Sequence, residues 1–128
     1  MKDYQKRIIE CYVQSYNHFD IDGMTNDLHE AIVFESVSNG QVNLHTIGIL
    51  DFKHQAIKAS KYFHERAQRI TAWHNTRYGL AVDIDYTATA ATNLPNGIRR
   101  GTVITLKGRS EFTFKDDRII QIRDIAQS

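Results

Sequence analysis

Cysteine, proline and net charge are the scarce commodities of this chain, and each scarcity removes a class of answer. The lone cysteine, Cys11, excludes an internal disulfide, so the fold has to stand on its apolar core. It lies in an apolar helical stripe and reads as a small buried hydrophobe in a reducing compartment. The lone proline, Pro95, leaves no proline-rich linker, and no repeat or low-complexity tract divides the chain. Sixteen basic residues against 15 acidic ones give a formal charge of +1, with both signs interspersed. That balance supplies no field of the kind nucleic acid or an anionic membrane demands, and neither is expected as a partner. No run approaches the roughly 18 apolar residues of a membrane span. The opening MKDYQKRIIE is charged from its second residue and has no signal-peptide apolar run, so a cytoplasmic location is expected.

What is present is a single change of hydrophobic period. Over residues 1–128, enough for one domain with a sizeable core, the first third has helical spacing. Tyr4, Ile8, Cys11, Tyr12, Tyr16 and Phe19 recur at three- and four-residue steps and predict a helix ending near Asp20 with a core-directed face. DIDGMTNDLHE offers Asp20 or Asp22 as N-cap of a short second helix carrying Met24 and Leu28 inward. Its resemblance to a calcium loop fails at the sixth position, where Thr25 replaces the required glycine. AIVFESVSNG reads as a strand running into an Asn39-Gly40 turn. A third helix is predicted over GILDFKHQAIKASKYFHERA, capped by Asp51, with Phe52, Ala56, Ile57, Ser60 and Phe63 on its apolar side and Lys53, Lys58, Lys61 and Glu65 solvated.

From Arg69 onward the period is two. In LAVDIDYTATAAT, Leu80, Val82, Ile84, Tyr86 and Ala88 alternate with Asp83, Asp85, Thr87 and Thr89, the pattern of a half-buried strand with a solvated face. LPNGI signals a hairpin at Pro95 to Gly97. GTVITLKGRSEFTF is a long returning strand, and KDDRIIQIRDIA turns once more and closes the sheet. The predicted class is α+β: a cone of three helices, the third after the first strand, packed on a strongly curved antiparallel sheet that leaves a conical cavity.

Glu35 stands out, because a carboxylate inside an apolar strand costs several kcal/mol unless it is paired, solvated or shifted in pKa. Strand parity groups it with Val33 and Val37, opposite Phe34. The expectation is that Glu35 points into the cavity, where desolvation raises its pKa and Tyr12 or His74 couples to it. In the competing register Phe34 takes the cavity face and Glu35 pairs with Arg109 or Arg123 on the outer sheet. The six histidines show no metal-ligand spacing, and neither metal nor cofactor is expected. Arg99, Arg100, Lys107, Arg109, Arg118 and Arg123 read as cover for an outer sheet face.

Taken together, the helix carrying CYVQSYNHFDIDGM, the following LHEAIVFE, the glycine before a helix at Gly48 and the C-terminal EFTFKDDRIIQI resemble the nuclear transport factor 2-like superfamily, and within it the SnoaL-like and ketosteroid isomerase-like members. The resemblance implies a cystatin-like α+β barrel. It also implies a proton-moving carboxylate near the end of the first strand, at Glu35, and a hydrogen-bond donor on the first helix, at Tyr12. The second oxyanion donor falls four residues before Phe114, at Ser110, where those isomerases use a protonated aspartic acid. A serine there is the weaker donor and speaks against steroid isomerisation itself. Related dehydratases place a histidine on the first meander strand, where this chain has His74, and an imidazole of ordinary pKa moves protons in both directions. Tyr16, Phe34, Ile104, Leu106 and Phe112 are expected to line or back the cavity, the last three through shared parity with Ser110.

The function expected is that of a pocket protein, a homodimer through its sheet, binding a compact, mainly apolar or cyclic small molecule. As an enzyme it would be a cofactor-free isomerase, cyclase or dehydratase, with Glu35 as base. The alternative is a noncatalytic binding or dimerisation module on the same fold.

Overall fold

The computed structural model describes residues 1–127. The elements run α1 (Asp3–Asn17), α2 (Ile21–Thr25), β1 (Leu28–Ser38), β2 (Gln41–Ile47), α3 (Ile49–Ser60), β3 (Phe63–Thr76), β4 (Gly79–Ala90), β5 (Val103–Lys115) and β6 (Arg118–Ala126). No helix among the described residues is long and apolar enough to cross a membrane.

In α1 the buried residues are Gln5, Ile9, Tyr12 and Val13, at helical spacing. The expected stripe is thus rotated by about one position. Tyr4 and Ile8 flank it, and Cys11 is exposed rather than buried, because the neighbouring Ile9, Tyr12 and Val13 take the sheet-facing side. The helix ends where Phe19 adopts φ 58°, and Asp20 then caps α2 by accepting a hydrogen bond from the Gly23 N–H at 2.9 Å. Met24 is buried from α2, while Leu28 is buried as the first residue of β1 instead of on the helix.

The hairpin β1–β2 turns through Asn39 and Gly40, both with positive φ, as an Asn-Gly turn requires. The β2 arm has no counterpart in the expected element order: its alternation is confined to Val42 and Leu44 against Asn43 and His45, and it is almost wholly exposed. Gly48 then takes φ 87°, ψ 157°, a conformation essentially confined to glycine. It fastens the start of α3 to the sheet: its N–H donates to the Ile32 carbonyl at 2.8 Å, and its own carbonyl accepts from the Phe52 N–H at 3.0 Å. Asp51 accepts from the Ile47 N–H at 3.1 Å rather than capping α3. The helix stops at Ser60, so Phe63 belongs to β3.

The sheet order is β2-β1-β6-β5-β4-β3. Four of the five neighbour pairs are antiparallel, but β1 and β6 run parallel, which corrects the expectation of an all-antiparallel sheet. Alternation identifies a strand without identifying its neighbour. Here the last strand returns beside the first, with α3 and the whole meander serving as the crossover a parallel pair needs. The β4–β5 hairpin forms as expected; Pro95 to Gly97 lie at the tip of its connection, where the Gly97 N–H donates to the Leu94 carbonyl at 3.1 Å.

The edges β2 and β3 do not pair, so the barrel is open. A flat sheet of this size would hold its edge strands roughly 24 Å apart. Leu44 on β2 and Arg66 on β3 nevertheless line one cleft, which requires strong curvature. The core fills the bottom of the resulting cone, with Ile9, Ile32, Leu80, Val82, Phe112, Ile119 and Ile122 essentially inaccessible. Replacing Gly48 with alanine is expected to cost about 1–3 kcal/mol, because the backbone conformation there is strained for any residue with a Cβ. Urea denaturation reads this directly, and a change below about 0.5 kcal/mol would mean the β2–α3 junction relaxes freely.

Candidate functional site

Side-chain size along the concave face explains where the cavity lies. One register row runs Phe34, Ile122, Phe112 and Leu80 across β1, β6, β5 and β4, and it is bulky and apolar. The row two residues further along is Ser36, Asp124, Ser110 and Val82, and beyond it Ser38, Ala126 and Gly108 follow. The step from large to small side chains leaves space above the packed floor. Two clefts of about 190 Å3 each open there, sharing Tyr16, Ser36 and Asp124. The deeper lies under the helices, walled by Tyr12, Met24, Phe34, Phe52, Ala56 and Arg66. The other runs along β4 and β5 past Ile84, Tyr86, Leu106 and Ser110.

Asp124 is the carboxylate of this space. Ser110 Oγ donates to its Oδ1 at 2.6 Å, and its flank on the other side is Ser36. Water reaches it only through the cleft, and desolvation pushes its carboxyl up to about 6, against the opposing pull of the Ser110 hydrogen bond. Tyr12, packed edge-on against Phe112 with ring centroids 5.8 Å apart, has its phenol pushed well up by burial and then by the Asp124 charge. No side-chain hydrogen bond among the described residues occupies its hydroxyl. Tyr16 and Tyr86 share a hydrogen bond at 3.0 Å, and burial raises both phenols as well. The arrangement is therefore a carboxyl that titrates close to neutrality beside phenols that remain protonated donors, the combination general acid–base chemistry uses.

The structure sorts the expected site residues by face. Tyr12, Tyr16 and Phe34 line the deep cleft, Ser110 and Leu106 the second, and Phe112 backs them from the floor. Ile104 lies further along β5 opposite Ala88, outside both clefts. Glu35 does not point into the cavity. Phe34 holds that face, against Phe52 at a centroid distance of 5.7 Å, and the alternation of β1 turns Glu35 to the outer side, 3.8 Å from Arg123. His74 is likewise on the outer side, with Nε2 3.0 Å from the Asp83 carboxylate. The competing register of β1 is the one the protein adopts. The outer face carries a lattice of charge in which Asp85 pairs with Arg69 and Lys107, and Arg109 and Arg123 both reach Glu111.

The residues not foreseen are Asp124 and Arg66. Asp124 lies in RIIQIRDIA, two positions after the fully buried Ile122 and so on the same face. That parity was available in the sequence. Arg66 sits in a stretch whose spacing suggested helix, and its burial had no local signal.

No protein-family model matches this chain, and no curated protein does. Solved structures do. A protein from Shewanella denitrificans provisionally assigned as a SnoaL-like polyketide cyclase superposes with a TM-score of 0.79 at 14% identity, covering 98% of this chain and 92% of that one. TerC, co-crystallised with polyporic acid, gives 0.78 at 15% identity over 98% and 92%. An LEH-like epoxide hydrolase from M. tuberculosis gives 0.75 at 14% identity over 97% and 83%. At such identities the likeness is one of fold: this chain has the α+β cone of the SnoaL-like and cystatin-like proteins.

Because folded Asp124 holds its proton more tightly than the unfolded chain does, stability falls as pH rises from about 4 to about 6 and the penalty stands in full above that. Asp124→Asn is therefore expected to stabilise the protein at pH 8 by up to about 3 kcal/mol, and by almost nothing below pH 4. Urea midpoints across that range test this. A variant less stable than wild type at pH 8 would show that ionised Asp124 is a structural asset.

Proposed function

We propose that this protein is a cofactor-free proton-transfer enzyme of the isomerase, cyclase or dehydratase kind, acting on a compact, largely apolar small molecule held between the helices and the sheet. The observation that carries the reading is Asp124: a desolvated carboxyl at the meeting point of two clefts, with a pKa of about 6 and phenolic donors beside it. In this reading Asp124 takes the role first expected of Glu35. Ionised, it removes a proton from carbon or from a bound hydroxyl; Tyr12 and Tyr16 donate hydrogen bonds to the oxygen on which charge develops; protonated Asp124 then returns the proton at a second position or to a leaving hydroxyl. Phe34, Phe52 and Met24 exclude water from the ring of the substrate and keep the local dielectric low.

The fold supports the reading at a coarser level, since its neighbours include proteins assigned as polyketide cyclases and an epoxide hydrolase. A noncatalytic binding module on the same fold is the alternative, and the two differ in what happens to a bound carbon acid.

A panel of cyclic ketones in D2O, followed by proton NMR, tests the proposal. Exchange of the protons next to the carbonyl should exceed the buffer rate, rise with pH through about 6 as Asp124 ionises, and fall by about 100-fold or more in Asp124→Asn. Glu35→Gln, on the outer face, should leave it unchanged. Binding without exchange in the wild type would favour the binding module, and exchange that survives Asp124→Asn would remove Asp124 from the chemistry.

A further inference from the structure

Arg66 is a buried cation without a counter-ion. It is 4% exposed, and none of the carboxylates of the described residues lies within ion-pair distance of it. Its Nε donates to the Tyr16 carbonyl at 2.8 Å, and its guanidinium carbon lies 3.7 Å from the centroid of Tyr16 and 4.5 Å from that of Phe19. Those contacts orient the group and offset part of its desolvation. They leave Nη2 buried with no hydrogen-bond partner, on a residue that lines the deep cleft. Arginine does not escape burial by losing its proton, and an unpaired buried donor on a charged group is expensive. Asp124 does not relieve the strain: it lines the same cleft but makes no ion pair with Arg66, and the two charges act with opposite sign on Tyr12 and Tyr16. The cleft therefore combines a positive group at Arg66, a carboxyl at Asp124, the phenols of Tyr12 and Tyr16, and apolar walls.

We propose that the natural ligand carries a planar delocalised oxyanion, a carboxylate or an ionised enol, on a compact ring, and that this group docks on the Arg66 guanidinium where it lines the cleft, a small shift of the side chain bringing the unpartnered Nη2 into the contact. The guanidinium fork matches two coplanar oxygens sharing one charge, which a neutral carbonyl does not offer. The space suits one ring, since a cavity of about 150 Å3 already accommodates benzene and the deep cleft measures about 190 Å3. Phe34 and Phe52, themselves edge to face, supply the wall for the ring. This inference rests on the proposal that the cleft is the ligand site, and not on the chemistry assigned to Asp124.

Benzoate and benzamide, nearly equal in shape and different in charge, make the test. In an NMR titration of the intact protein, benzoate should bind at least about tenfold more tightly than benzamide, with shift changes at Met24, Phe34 and Phe52. Arg66→Met should bring benzoate down to the benzamide level and leave benzamide binding unaltered, whereas Arg69→Met, on the exposed outer face, should change neither. The wild-type comparison decides even where Arg66→Met folds poorly. Equal affinities, a preference that persists in folded Arg66→Met, or benzoate shifts confined to the outer face would each overturn the proposal. Benzoate selectivity with no carbon-acid exchange would retain this inference and sink the enzyme reading; exchange without selectivity would do the reverse.

Discussion

The carbonyl of Tyr16, in the last turn of α1, accepts from the Phe19 N–H at 3.2 Å and also from Arg66 Nε, reaching across from β3, at 2.8 Å. Next to it, Asn17 exchanges two hydrogen bonds with the backbone of Gln68, at 3.0 and 2.8 Å. These three bonds fasten the last turn of α1 to the far edge strand of the sheet, and the rest of the cleft follows from that attachment. It suspends Tyr12 and Tyr16 over the concave face at a fixed height, and it holds the β3 edge inward against the helix. A positive group at a helix C-terminus also complements the macrodipole, so the contact is favourable for reasons independent of any ligand. The same side chain thus serves as a structural clamp through Nε and keeps a buried donor without a partner at Nη2.

Above the clamp, the sheet is built for space and not for density. The bulky row Phe34, Ile122, Phe112 and Leu80 completes the core, and the next row gives up volume and apolarity together at Ser36, Asp124 and Ser110. A protein selected only for stability would have continued the apolar packing, because a carboxyl held at this depth is destabilising whenever it is ionised. The Ser110 hydrogen bond offsets only part of that cost, and a folding rule broken with incomplete compensation is the usual mark of a functional position. On the outer face, by contrast, every carboxylate of the central strands named above has a basic neighbour, although Arg109 Nε, 3.7 Å from Glu111, is itself buried without a hydrogen bond.

Much of this was legible in the sequence, and the reasons for the gaps are specific. Parity in β4 and β5 identified the inward row, so Ser110, Phe112 and Leu106 fell on the expected side. Helical spacing put Tyr12 and Tyr16 on a cleft-facing surface, although the stripe was rotated enough to misplace Cys11. Parity in β1 gave two registers and could not choose between them, because Phe34 and Glu35 were both plausible inward residues; the choice is made by Phe52 on α3, a tertiary contact. The carboxylate of the cavity therefore came from β6, whose parallel place beside β1 no local pattern encodes. In β2 the period-two signal is only the pair Val42 and Leu44, too short to stand out before α3, and Arg66 sits where a helical period gives way to a strand.

The parallel pairing of β1 with β6 brings Ser36 and Asp124 side by side from opposite ends of the chain. The β3–β4–β5 meander is joined by local hairpins, and contact-order reasoning expects such pairs to form early and the distant one late. During synthesis, β1 has no neighbour on its inner side until β6, about 80 residues further along, has emerged. The cleft, its acid and its serine partners then come into being in a single closing step, after the rest of the scaffold has committed. A chain interrupted before Arg118–Ala126 would keep its hairpins and have no cleft of this shape, because Ser36 and Asp124 would never meet.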